Sequence, residues 1–160
     1  MHSRIFQITT NPVQDEDYIS EYGFFEHWFV GAIADYVNAH NDQAEDIKYL
    51  RSWLEANKVA AFDESGDSFT VLPGGREAYF TRAYDTFVAA RAKTFSMSLS
   101  DFASAGEFGG AMWQMSNSFN DKFAYYVSSD EFDTISFDEF IRSSETEKRY
   151  YIGGTLDYHF

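Results

Sequence analysis

A chain of 160 residues with 19% aromatic side chains is long enough to bury one sizeable core, and too rich in rings to be a disordered acidic chain. It has no cysteine, which excludes disulfide frameworks, thiolate zinc sites and cysteine nucleophiles. A net charge of −14 opposes direct contact with DNA, RNA or anionic lipid.

The charge is unevenly placed. Residues 1–47 hold nine acids and one base, Arg4, and residues 95–141 hold eight acids and one base, Lys122. The stretch between them is slightly basic and the remainder is neutral. Arg76, Arg82, Arg91 and Lys93 are the best candidates for a local basic patch. The N-terminal residues lack the apolar run of a signal peptide, and no stretch reaches the length of a membrane span. The expectation is a cytoplasmic protein with no membrane association and no direct nucleic-acid binding.

In chain order, Ile5, Phe6 and Ile8 before Asn11-Pro12 predict a strand over 3–9. Residues 14–23 read as an acidic loop. From Phe24 to Val37 the apolar spacing 25, 28/29, 32/33, 36 predicts a helix over 25–38, weakened at Gly31. Asp42 with Glu45 has capping-box spacing ahead of the stripe Ile47, Leu50, Trp53, Leu54, which predicts a helix over 43–57. Phe62 and Phe69–Leu72 flank a polar loop as in a β-hairpin.

Pro73-Gly74-Gly75 then leads into a helix over 76–93, striped by Phe80, Ala83, Tyr84, Phe87 and Val88. Ser98 to Asp101 starts a short helix, and Gly106, Gly109 and Gly110 read as its breakers. Residues 111–117 and 122–128 are expected to pair as a second hairpin. Ser136 to Glu139 starts another short helix. The run 149–158 is either a tight hairpin at Gly153-Gly154 or one bulged strand. The expected class is α+β: a single compact domain, residues 1–160, with a mostly antiparallel sheet and three main helices packed against it. The expected core includes Phe6, Ile8, Phe29, Ile33, Ile47, Leu50, Leu54, Phe80, Phe87 and Val127.

No motif places a catalytic residue, cofactor or metal. Asp63-Glu64-Ser65-Gly66-Asp67 starts like a calcium loop, but Ser68 and Gly74 stand where an EF-hand needs its glycine and glutamate, so a polar hairpin tip is the plainer reading. His2, His27, His40 and His159 make no i, i+4 pair. His27 beside Glu26 and His40 near Asp42 would need to converge in space to form a metal or proton-transfer site. Gly106, Gly109 and Gly110 match neither a Walker loop nor a dinucleotide fingerprint. The Trp28/Phe29 and Trp53 stripes read as core, whereas Trp113, between Met112 and Met115, is a candidate for exposure.

The feature that most resembles a binding surface is the mixture of acids and rings. Asp15, Glu16, Asp17, Tyr18, Glu21 and Tyr22 form one segment, and Asp130, Glu131, Phe132 and Asp133 another. Together with Trp113 these are the candidate partner-binding residues. Acids steer an encounter and rings stack on guanidinium groups, so the expected partner is a basic protein. The competing explanation is that the acids solubilise loops and stabilise helix N-termini, as at Asp42, Glu45, Asp46, Asp101, Asp138 and Glu139. The expected function is a non-enzymatic protein-interaction module. The alternatives are a small hydrolase with a carboxylate/histidine site and a DNA-mimicking inhibitor of a nucleic-acid-binding protein. The mixed signs of 43–57 and the positive charge of 76–93 oppose the last. The sequence does not set the oligomeric state.

Overall fold

The computed structural model describes residues 1–129 and 133–160. Among them lie six α-helices and a seven-stranded, mostly antiparallel sheet, so the class is α+β. The helices number six where the sequence pattern pointed to three main ones.

The sheet is built on a long strand, β7 (Arg149–His159). One edge of β7 pairs antiparallel with β1 (His2–Thr9). Its other edge is shared. β4 (Ser68–Val71) takes residues 149–151, and β2 (Tyr36–Ala39) takes residues 156–159. β3 (Ala60–Phe62) continues the sheet beyond β4. On the far side of β1, β5 (Tyr126–Ser128) pairs in parallel and β6 (Thr134–Ser136) follows antiparallel. Neighbouring residues of a strand point to opposite faces, yet Ile5 and Phe6 are both fully buried. Both faces of β1 are therefore covered.

One bulge interrupts the β1–β7 ladder. Phe6 faces Thr155 and Ile8 faces Ile152, so Gly153 and Gly154 stand opposite the single residue Gln7. The glycines at 153–154 thus mark a bulged strand and not a hairpin. A Cβ at Gly153 would lie 2.3 Å from Gln7 Oε1, and one at Gly154 3.0 Å from Tyr18 Cβ.

The chain divides into two compact units. The first comprises Met1–Tyr79 and Phe123–Phe160, and contains the whole sheet, α2 (Gln43–Ala56) and α6 (Phe137–Ser143). Its core includes Ile5, Phe24, Phe29, Val37, Tyr126, Leu156 and Tyr158. Leu50 and Leu54, the inner stripe of α2, are also fully buried. The second unit, Phe80–Lys122, is helical. It holds most of α3 (Gly75–Ser96), α4 (Leu99–Ser104) and α5 (Gly106–Phe119). Within it Phe102 and Phe108 meet edge to face at 4.9 Å, and Lys93 pairs with Glu107 at 3.2 Å.

The strand over 3–9, the helices over 43–57 and 76–93, the hairpin flanked by Phe62 and Phe69–Leu72, and the short helices starting near Ser98 and Ser136 form where the patterns place them. Two do not. The expected helix over 25–38 is only a single turn, α1 (Phe29–Ala32), with Val30 extended and Gly31 at φ 91. Gly31 supplies the left-handed step that reverses the chain, and Tyr36–Ala39 then becomes a strand. The buried residues Phe24, Phe29, Ala34 and Val37 do not follow a helical period. The expected hairpin of 111–117 with 122–128 is also absent. Residues 106–119 form α5, and β5 pairs with β1 and β6 instead. The three glycines lie inside α5, and the break falls at Ala105, held in the left-handed conformation at φ 59. Of the expected core, Phe6, Ile8, Phe29, Leu50, Leu54 and Val127 are buried, while Ile33, Ile47, Phe80 and Phe87 are half-buried.

Two kinds of glycine respond oppositely to an added methyl. A Cβ at Gly75 would lie 2.1 Å from the Val59 carbonyl oxygen, so the backbone itself must move. Gly109 and Gly110 have nothing within 4 Å of that position. Gly75→Ala is expected to cost about 3 kcal/mol, the upper range of overpacking. Gly109→Ala and Gly110→Ala are expected to stabilise by roughly 0.5–1 kcal/mol each, the helix-propensity difference. Denaturant midpoints of the three variants check both signs.

Candidate functional site

The segment after β1 is pinned from within and exposed without. Gln7, facing the bulge, accepts hydrogen bonds at Oε1 from the backbone N–H of Ile19 and of Gly154, each at 3.0 Å. Its Nε2 donates to the Asp17 carbonyl at 3.0 Å. Ile19 and Phe24 anchor the segment against the core. Two short 3-10 turns, Asp15–Asp17 and Glu21–Phe24, carry the chain between these anchors.

The outward positions hold Asp15, Glu16, Asp17, Tyr18, Tyr22, Phe25, Glu26 and Trp28, all exposed, with Glu21 half-buried. Tyr22 and Phe25 are 71% and 68% exposed, and their rings meet edge to face at 5.4 Å. Partial burial, then the neighbouring Asp15 carboxylate, raises the Tyr18 hydroxyl above its ordinary pKa.

Asp133 joins this segment. His27 Nε2 donates to Asp133 Oδ1 at 2.6 Å and Trp28 Nε1 donates to Oδ2 at 2.9 Å. The tautomer follows from the backbone: Phe29 N–H points at His27 Nδ1 at 3.3 Å, so the ring proton sits on Nε2. The hydrogen bond from His27 is the main cause that holds the Asp133 carboxyl below its ordinary value; burial opposes it, and Thr134 N–H and Trp28 add to it. Of the other candidate residues, Asp130, Glu131 and Phe132 lie outside the described residues. Trp113 sits on α5 in the second unit and is 65% exposed.

Elsewhere the carboxylates serve the fold. Arg4 Nε donates to Asp46 Oδ2 at 2.9 Å and its Nη1 to Asp157, which ties α2 to the β1–β7 pair. Arg4 Nη2 donates to His40 Nε2 at 3.2 Å. His40 Nδ1 lies 2.8 Å from Asp46 Oδ2 but off the axis of a hydrogen bond. His2 meets Asp157 at 2.7 Å and His159 meets Asp35 at 3.2 Å. Each histidine therefore has its own carboxylate neighbour, and the partners of His27 and His40 are Asp133 and Asp46, not Glu26 and Asp42. Among the described residues no group of three or more histidines and acids is placed to hold a metal ion.

Asp63 turns into its own loop. Burial pushes its carboxyl up, but hydrogen bonds from Ser68, Ser65 and Gly66 outweigh this and lower it, as expected of a hairpin tip. Ser98 and Asp101 form a reciprocal capping box on α4.

Sequence reasoning missed Gln7, which carries no distinctive motif. It also missed Arg4, although a lone base among nine acids was the available signal. Pockets formed by described residues of the first unit include two on its surface. One, of about 310 Å³, is lined mainly by rings from α2, α3 and the β5–α6 region. The other, of about 380 Å³, has a mixed lining in which Gln7, Thr9, Asp17 and Ser128 stand beside Pro12, Val13 and Ile19. Neither lining contains a histidine. No described helix is long and apolar enough to cross a membrane. Comparison with protein-family models, curated proteins and solved structures found no match.

The Asp133 link has a pH signature. A carboxyl whose folded pKa is lowered contributes stability above its unfolded value, about 3.9, and that contribution is lost as pH falls through the folded value. The Trp28 indole N–H resonance is expected to shift below about pH 4 as Asp133 protonates. The shift should be absent in Asp133→Ala. An indole signal unmoved by acid in the wild type would contradict the link.

Proposed function

We propose that the chain is a protein-interaction module that docks a basic partner through the surface running from Asp15 to Trp28 together with Asp133. The observation that carries this reading is the exposed Tyr22–Phe25 pair set between acids on a backbone pinned by Gln7. Neighbouring exposed rings form the kind of contiguous apolar patch that marks interaction sites, and carboxylates beside them complement guanidinium and ammonium groups. A segment already held in place loses little entropy on binding.

Charge placement supports the same reading. The second unit balances four bases (Arg82, Arg91, Lys93, Lys122) against four acids (Asp85, Asp101, Glu107, Asp121). The whole net charge of −14 therefore resides on the first unit. The hydrolase alternative has less support, because neither of the two pockets described above has a histidine in its lining. A DNA mimic needs long rows of carboxylates at phosphate spacing, whereas the exposed acids here come in short groups beside rings.

The test starts from a partner captured from native lysate at low salt and identified by mass spectrometry. Association is then followed as a function of salt. Asp15→Lys with Glu16→Lys and Asp17→Lys should slow association about tenfold and flatten its salt dependence. Tyr22→Ala with Phe25→Ala should instead speed dissociation. Rates and salt slope unchanged by both sets would leave the acids with a purely solubilising role and sink the proposal.

A further inference from the structure

The ring-lined pocket of the first unit has the composition of a site for an organic cation. Tyr49 and Trp53 reach it from one face of α2, four residues apart. Tyr79 comes from the start of α3, Phe123 and Tyr125 from the approach to β5, and Phe137 from the first turn of α6. The rings support one another. Trp53 and Tyr79 meet edge to face at 5.4 Å, and Tyr79 and Phe137 stack at 5.8 Å. A volume of about 310 Å³ is at the small end for ligand sites and suits a compact head group.

Electrostatics select the sign of the ligand. The lining contains no charged side chain, so no lysine or arginine is present to receive an anion. Ring faces carry negative potential. Tyr79 Oη donates to Asp138 Oδ1 at 2.8 Å, which puts a carboxylate behind that ring, with Arg142 farther off at 3.9 Å from the same group. Burial, then Tyr49 and Asp46, raise the Tyr125 hydroxyl, and Arg4 works against them. Arg4 is itself bridged by Asp46 and Asp157, so its charge is compensated. All of the net charge of −14 lies on this unit.

The hydrogen-bonding capacity of the lining narrows the class further. Besides three phenols and the Trp53 indole, the polar side chain present is Ser3, whose hydroxyl donates to the Ala124 carbonyl. A primary ammonium or a guanidinium would bring several N–H donors and find few acceptors. A fully alkylated ammonium brings none. It loses less on leaving water than a cation with N–H donors, and it is attracted by aromatic rings. A neutral apolar ligand would be served as well by aliphatic side chains, and gives no reason for six rings.

We propose that this pocket binds an alkylated ammonium head group, whether on a free small molecule or on a methylated lysine of a protein. The proposal does not depend on the acidic docking surface, because the pocket shares no residue with the positions reversed in that test.

Isothermal titration at constant ionic strength compares choline with its neutral isostere 3,3-dimethylbutan-1-ol. Choline is expected to bind at least about tenfold more tightly, the scale of a desolvated cation–π contact. Trp53→Leu and Tyr49→Leu should each weaken choline binding about tenfold while leaving the preference over the isostere reduced. Trp113→Leu, and the Asp15/Glu16/Asp17 reversal, should leave it within about twofold. Tyr49 is an exposed rim residue, so its variant carries the test if Trp53→Leu fails to fold. A trimethyllysine peptide and its unmodified counterpart form a second arm. Preference for the methylated peptide assigns the cation to a protein, and binding of choline alone assigns it to a small molecule; either supports the proposal. Equal binding of choline and isostere, or no binding of choline or methylated peptide up to roughly 10 mM, overturns it.

Discussion

β7 is hydrogen-bonded along both edges, and the pairings of β1, β2 and β4 all run through it. Its residues Ile152 to Leu156 are buried without interruption, as expected of a strand covered on both faces. The bulge at Gly153-Gly154 is the single irregularity of its ladder with β1, and it is useful. It makes room for the Gln7 side chain to stand against the sheet. Gln7 in turn holds the acidic segment through two hydrogen bonds, to Asp17 and Ile19, while a third, from Gly154, ties it to β7. A local defect in strand pairing thereby fixes the position of a surface loop.

The acids divide by task. Asp46, Asp63, Asp101, Asp138 and Asp157 accept hydrogen bonds or ion pairs that cap helices, close a loop or bridge a helix to the sheet. Asp15, Glu16, Asp17 and Glu26 are exposed among exposed rings. Placing them together costs self-repulsion. The second unit takes no share of the excess charge. Its exposed residues include large apolar ones, with Phe95 85% and Leu99 82% exposed.

The fold was legible where a period and a punctuation mark agreed. The Asp42-to-Glu45 spacing and the Leu50/Leu54 stripe located α2, and Pro73-Gly74-Gly75 located the start of α3. The pattern misled where two periods fit the same residues. Phe25, Trp28, Phe29, Ile33 and Tyr36 satisfy a helical spacing, yet Gly31 at positive φ and the free edge of β7 turn Tyr36–Ala39 into a strand. Gly106, Gly109 and Gly110 looked like breakers, but the apolar positions Ala111, Met115 and Phe119 sustain α5 through them. Local sequence carries no trace of a partner strand far along the chain, so the parallel pairing of β5 with β1 was not readable. Of the candidate surface, the acid and ring content of 15–22 was visible. The contact of His27 and Trp28 with Asp133 was not, since it joins residues more than a hundred positions apart.

That separation has a consequence for the time course of folding. Ile5 has Leu156 on one side and Tyr126 on the other, so β1 finds both neighbours only after nearly the whole described chain exists. The helices and the β3–β4 hairpin can form early from local contacts, whereas the central ladder must close a long loop first. During synthesis β1 emerges as an unpaired strand carrying Ile5, Phe6 and Ile8. Its aggregation hazard lasts until β7 arrives, and the acids that follow it directly in the chain keep that waiting strand from meeting its own copies.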